Sequence, residues 1–136
     1  MWRIEFTSSE FLPLLPEECQ GNPGVYGFEL AWWLAQTLAA TGVVTSYPVG
    51  EDWGWLIEHV NSEETEFTIG CASMADEGEG EGYAGKEVTW SVFIRPHTSL
   101  KQRFKGQTHE QEVHRLGQQV LAVLKRKDIT PEASEA

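Results

Sequence analysis

The chain has 136 residues, enough for a single core and a length that favours one domain over two. A hydrophobic share of 40% with six Trp excludes a disordered tail, no apolar run reaches the roughly 18 residues of a membrane span, and two cysteines, Cys19 and Cys71, make no disulfide framework. The net charge of -11 repels phosphate backbones and anionic lipid heads, so neither nucleic acid nor a membrane is an expected partner.

Trp2, Ile4 and Phe6 alternate with Arg3, Glu5 and Thr7, the period-two signature of a half-buried strand. Residues 8–24 carry Pro13, Pro16, Gly21, Pro23 and Gly24 and read as a packed, irregular connection. From Tyr26 to Thr41 the period becomes helical. Leu30, Leu34 and Leu38 form one stripe with Ala31 and Ala35 beside it, and Gly42 stands where a C-terminal cap belongs. Trp33 falls on the opposite side with Glu29, Gln36 and Ala40, so it either meets a partner or is covered by residues 8–24. Val43–Tyr47 reads as a short strand ended by Pro48-Val49-Gly50. Next, Trp53, Trp55, Ile57 and His59 alternate with Gly54, Leu56 and Glu58, and Phe67, Ile69 and Cys71 alternate with Thr68, Gly70 and Ala72. The last predicted strand sets Val88, Trp90, Val92 and Ile94 against Thr89, Ser91 and Phe93, and Pro96 stops it. A second helix starts near Thr108, where Thr108 and Gln111 make a capping box; Val113, Leu116, Val120 and Leu124 are its buried stripe. Lys125, Arg126 and Lys127 complement the negative end of its dipole. Residues 1–127 are read as one domain and residues 128–136 as a frayed acidic tail.

A turn over Asn61–Thr65 sets Trp55 opposite Cys71, Ile57 opposite Ile69 and His59 opposite Phe67. A slip of one residue would mix apolar and polar faces, which selects this register. The core face then holds Trp2, Ile4, Phe6, Trp53, Trp55, Ile57, Phe67, Ile69, Cys71, Val88, Trp90, Val92 and Ile94. The expected fold class is α+β, in the order strand, helix, four strands, helix, with an antiparallel sheet and both helices packed on one face. That order resembles the TATA-binding-protein-like fold pattern, a likeness of fold that implies no function. The opposite face offers the small residues Gly54 and Gly70 beside the apolar Leu56, Val60 and Phe93, which suits the close approach of another surface.

Chemistry-bearing patterns are few. His59 and Cys71 are separated by four residues of strand, roughly 13 Å, too far for a thiol–imidazole dyad. His109 and His114 lie on different sides of their helix, and there is no Cys-x-x-Cys or His-Glu-x-x-His, so no metal site is expected. No phosphate-binding loop or dinucleotide fingerprint is present, and no cofactor is expected. The acidic run Asp76–Gly82 lacks the ligand spacing of a calcium loop and reads as a solvated connection. Residues 1–94 carry 16 carboxylates against Arg3 and Lys86, and Arg95, His97, Lys101, Arg103 and Lys105 then form a basic stretch that balances them. The candidates for acid–base or small-ligand chemistry are Glu51, Asp52, Glu58 and His59 near one end of the sheet, although adjacent Glu51 and Asp52 point to opposite faces of a strand.

The helix Gly27-Phe28-Glu29-Leu30-Ala31-Trp32-Trp33-Leu34 followed by Glu51-Asp52-Trp53-Gly54-Trp55 resembles a group of small bacterial proteins over residues 25–95. That resemblance implies a bacterial cytoplasm and brings no activity or ligand with it. Charge and aromatic content point to a non-catalytic protein-binding domain, inhibitor- or immunity-like or self-associating. Its contact residues are expected to be Trp33, Gly54, Leu56, Gly70 and Phe93. The first residues, Met1-Trp2-Arg3-Ile4-Glu5, show no signal-peptide pattern, in keeping with a cytoplasmic expectation.

Overall fold

Strand β1 (Trp2–Ser8) buries every second residue, Trp2, Ile4, Phe6 and Ser8, because a strand sends successive side chains to opposite faces. The structure, a computed structural model, describes residues 2–20, 25–74, 87–97 and 109–135. After β1 a 3-10 turn (Glu17–Cys19) leads to helix α1 (Phe28–Ala40) and strands β2 (Val49–Glu51), β3 (Gly54–Val60), β4 (Glu66–Ser73) and β5 (Val88–His97). Helix α2 (Glu110–Arg126) and a short strand β6 (Ala133–Glu135) complete the described elements. These six strands form one antiparallel sheet in the order β2-β3-β4-β5-β1-β6. The expected α+β class and single domain are therefore what is seen.

The register is the one that keeps apolar residues together: Trp55 faces Cys71, Ile57 faces Ile69 and His59 faces Phe67. β1 docks on β5 with Trp2 opposite Ile94, Ile4 opposite Val92 and Phe6 opposite Trp90. One face of the sheet thus presents fully buried Ile4, Phe6, Ile57, Ile69, Trp90, Val92 and Ile94. Leu30, Leu34 and Leu38 of α1 and Val120, Val123 and Leu124 of α2 complete that core. Gly117 lets α2 lie against the Trp2 indole, since a Cβ there would stand 2.4 Å from the ring. Gly42, at φ 97°, ends α1 as predicted: its N–H donates to the Ala39 carbonyl at 3.0 Å and the Val43 N–H to the Leu38 carbonyl at 2.9 Å. Asp128, at φ 59°, closes α2 in the same way, with the Ile129 N–H donating to the Leu124 carbonyl at 3.1 Å.

Elsewhere the structure departs from the sequence reading. The strand expected over Val43–Tyr47 is displaced, because Val43 is committed to the α1 cap and Thr45 makes only an isolated bridge to His59. The paired strand is β2, joined to β3 by a tight turn over Asp52 and Trp53, with Glu51 opposite Gly54. Trp53 sits in that turn, outside the ladder, so the alternation that assigned it to the core does not reach it; it is 39% exposed. The tail expected to fray instead continues the sheet. The Glu132 N–H donates to the Glu5 carbonyl at 2.7 Å, and β6 then pairs with β1, whose free edge would otherwise leave N–H and C=O groups unpaired. The Thr108 cap, the acidic run 76–82 and the basic residues Lys101, Arg103 and Lys105 lie outside the described residues. Among the described residues no helix is long and apolar enough to cross a membrane.

Candidate functional site

Neither of the described helices, α1 and α2, covers the second face of the sheet. There the register aligns Leu56, Gly70, Phe93 and Arg3 across β3, β4, β5 and β1, with Val49 of β2 opposite Leu56. Gly70 has a local reason to be glycine: a Cβ at that position would stand 2.2 Å from the Phe93 ring, which lies across it. The Trp53 ring tilts against Phe93 with centroids 5.1 Å apart, and the Arg95 guanidinium sits 4.8 Å from the centre of the Phe93 ring. Arg3 approaches from the neighbouring strand, donating to the Ser91 hydroxyl at 3.0 Å and to the Glu5 carboxylate at 2.8 Å. Arg3, Trp53, Met74, Ser91, Phe93 and Arg95 are the principal walls of a shallow cavity of about 550 Å³. Trp53, Met74 and Val49 remain exposed around it.

Of the expected contact residues, Phe93 lies at the centre of this face. Leu56 and Gly70 share the face but are buried, and the Phe93 ring fills the space left by Gly70. Gly54 is not an open position either. At φ 151° it lies against β4, and a Cβ would stand 2.5 Å from the Cys71 carbonyl oxygen, so its smallness serves the strand pairing. Trp33 is half-buried: the segment after β1 folds over it, bringing Phe11 to a ring-centroid distance of 5.1 Å. Its neighbour Trp32 is the exposed one and stacks on Tyr47 at 5.6 Å. Sequence reasoning missed Trp32–Tyr47, because the two residues come together only when the chain turns back after α1.

The acid–base candidates do not converge. Glu51, Asp52 and Glu58 are exposed, and Glu58 lies four strand residues beyond Gly54, roughly 14 Å along β3. His59 points to the other face of β3, where its Nδ1 is 2.8 Å from the Val44 carbonyl oxygen. A carbonyl oxygen only accepts, so Nδ1 carries the proton and the ring is held as part of the structure. Cys71 is fully buried, and burial pushes its thiol far above the ordinary range, which removes it as a nucleophile. Among the described residues no three His, Cys, Asp or Glu side chains gather closely enough to hold a metal ion.

Comparison with protein-family models, with curated proteins and with solved structures finds no match to this chain.

Proposed function

We propose that this protein acts by binding another protein, without catalysis, and that the face of the sheet left bare by the helices is its contact surface. The observation that supports this reading is the Trp53–Phe93–Arg95 cluster, a partly solvated aromatic pair with a guanidinium over it. Trp and Arg are the residue types that carry much of the energy at protein interfaces, through large contact area at little entropic cost. Around that centre Glu5, Glu51, Asp52, Glu58 and Glu66 are carboxylates at least partly open to solvent. A partner with an apolar patch ringed by Lys and Arg complements them, as expected for an inhibitor- or immunity-type domain. A second copy of this chain would set like charges against each other. Both cysteines are free, with Cys71 in the core, which supports a reducing, cytoplasmic setting.

The test is affinity capture with the immobilised chain at low and at moderate salt, followed by titration of any basic protein retained. Trp53→Ala or Phe93→Ala is expected to weaken that binding at least tenfold, and added salt to slow association. A partner that binds both variants as tightly as the parent chain would refute the assignment of this face.

A further inference from the structure

A second cavity, of about 410 Å³, lies on the helix side of the molecule between the segment after β1, α1 and the end of α2. Its volume falls within the roughly 300–1,000 Å³ usual for small-ligand sites. Phe11 and Trp33 line it, their rings 5.1 Å apart and inclined at 49°, with Leu12 and Leu14 exposed at its rim. Two carboxylates, Glu10 and Glu29, face one cation, Lys127.

Glu29 carries the argument. It stands in the first turn of α1, and its Oε2 accepts the Leu15 N–H at 3.2 Å. Its Oε1 is buried and meets no donor among the described residues. A desolvated carboxylate oxygen without a partner is unfavourable, and an N–H donor placed in the cavity relieves it. The aromatic walls favour a positively charged donor. The Lys127 ammonium already stands 5.8 Å from the Phe11 ring centre and 5.6 Å from that of Trp33, where the negative faces of the rings attract a cation. Yet Lys127 pairs with Glu10, at 3.3 Å, and not with Glu29. Its side chain and that of Glu10 are 33% and 53% exposed, so this ion pair is weak and screened and yields readily to a competitor.

We infer that this cavity is a site for a small organic cation, a primary ammonium or guanidinium group, held beside the Phe11 and Trp33 rings where the Lys127 ammonium now stands, with an N–H donated to Glu29 Oε1. Lys127 is the internal occupant that such a ligand displaces. The site is separate from the bare face of the sheet, and either assignment stands if the other fails.

Isothermal titration of the whole chain with n-butylammonium and with butylguanidinium, at constant ionic strength, tests it. Butanol serves as the neutral control of the same shape. Both cations are expected to bind and butanol is not. Lys127→Met, which removes the resident ammonium, is expected to tighten binding at least threefold, and Glu29→Gln to weaken it at least tenfold. Melting curves establish that each variant is folded. Trp33→Phe, which keeps an aromatic face, is expected to retain binding that Trp33→Leu loses. Heats no larger than those of sodium chloride in both the parent chain and Lys127→Met would overturn the assignment, as would a folded Glu29→Gln that binds unchanged. Should Glu29→Gln not fold, the Lys127→Met titration decides alone.

Discussion

Strand β5 carries two surfaces on one backbone. Trp90, Val92 and Ile94 point into the helix layer and are fully buried, while Phe93, between them, points to the bare face and rests on Gly70, Trp53 and Arg95. The covered face draws its partners from both helices, so the apolar area it removes from water stabilises the fold, at about 25 cal/mol per Å². On the bare face Trp53 keeps much of its surface in water, and burying that surface would contribute to association instead. The same side-chain type, tryptophan, therefore has a folding role at Trp90 and, in the proposed function, an interface role at Trp53, and position relative to the helices separates the two.

That contrast can be broken by mutation. The largest effect is expected for Trp90→Ala, about 3–5 kcal/mol of stability measured by denaturant unfolding, because a fully buried ring leaves a cavity the core cannot close. Trp90→Phe should cost clearly less, since the buried Trp90 indole N–H has no acceptor among the described residues. Gly117→Ala comes next, at about 1–3 kcal/mol, because its Cβ would stand 2.4 Å from the Trp2 ring and force α2 away from the sheet. Trp53→Ala should cost under about 1 kcal/mol, as expected at a substantially exposed position. A Trp53→Ala loss approaching that of Trp90→Ala would show that the bare face is structural and would erase the contrast. The smallest perturbation is chemical. An aqueous thiol reagent should modify Cys19 in the native protein, because Cys19 is exposed, and reach Cys71 only when denaturant opens the core.

Much of the sheet was legible beforehand. Side-chain direction in a strand has a period of two, so the alternation through Ile57, His59, Phe67, Ile69 and Cys71 admits one register that buries the large residues together. The leucine stripe of α1 and its Gly42 cap were readable for the same local reason. The candidate site was legible only in pieces. Alternation places Phe93 on the bare face but puts Trp53 in the core, because period-two counting runs through a turn it cannot detect. Gly54 and Gly70 looked like openings because a missing side chain does not reveal whether the space belongs to solvent, to a neighbouring backbone or to another ring.

Trp33 divides the local from the nonlocal most clearly. Helical periodicity determined that it lies off the main buried stripe of α1, since the angle between residues on a helix depends only on their spacing. What stands over it depended on residues far away in the chain, Phe11 from the segment after β1 and Lys127 at the end of α2. The sequence by itself thus determined β1, α1, β3, β4, β5 and α2, the β3–β4 register and the fold class, which arise from short-range periodicity and turn chemistry, but not β2 or β6. Only the tertiary structure decided that Trp53 left the core for a turn, which tryptophans reached solvent and that Glu29 Oε1 was left without a donor among the described residues. Those outcomes depend on how surfaces distant in sequence meet, and local side-chain patterns do not encode that meeting.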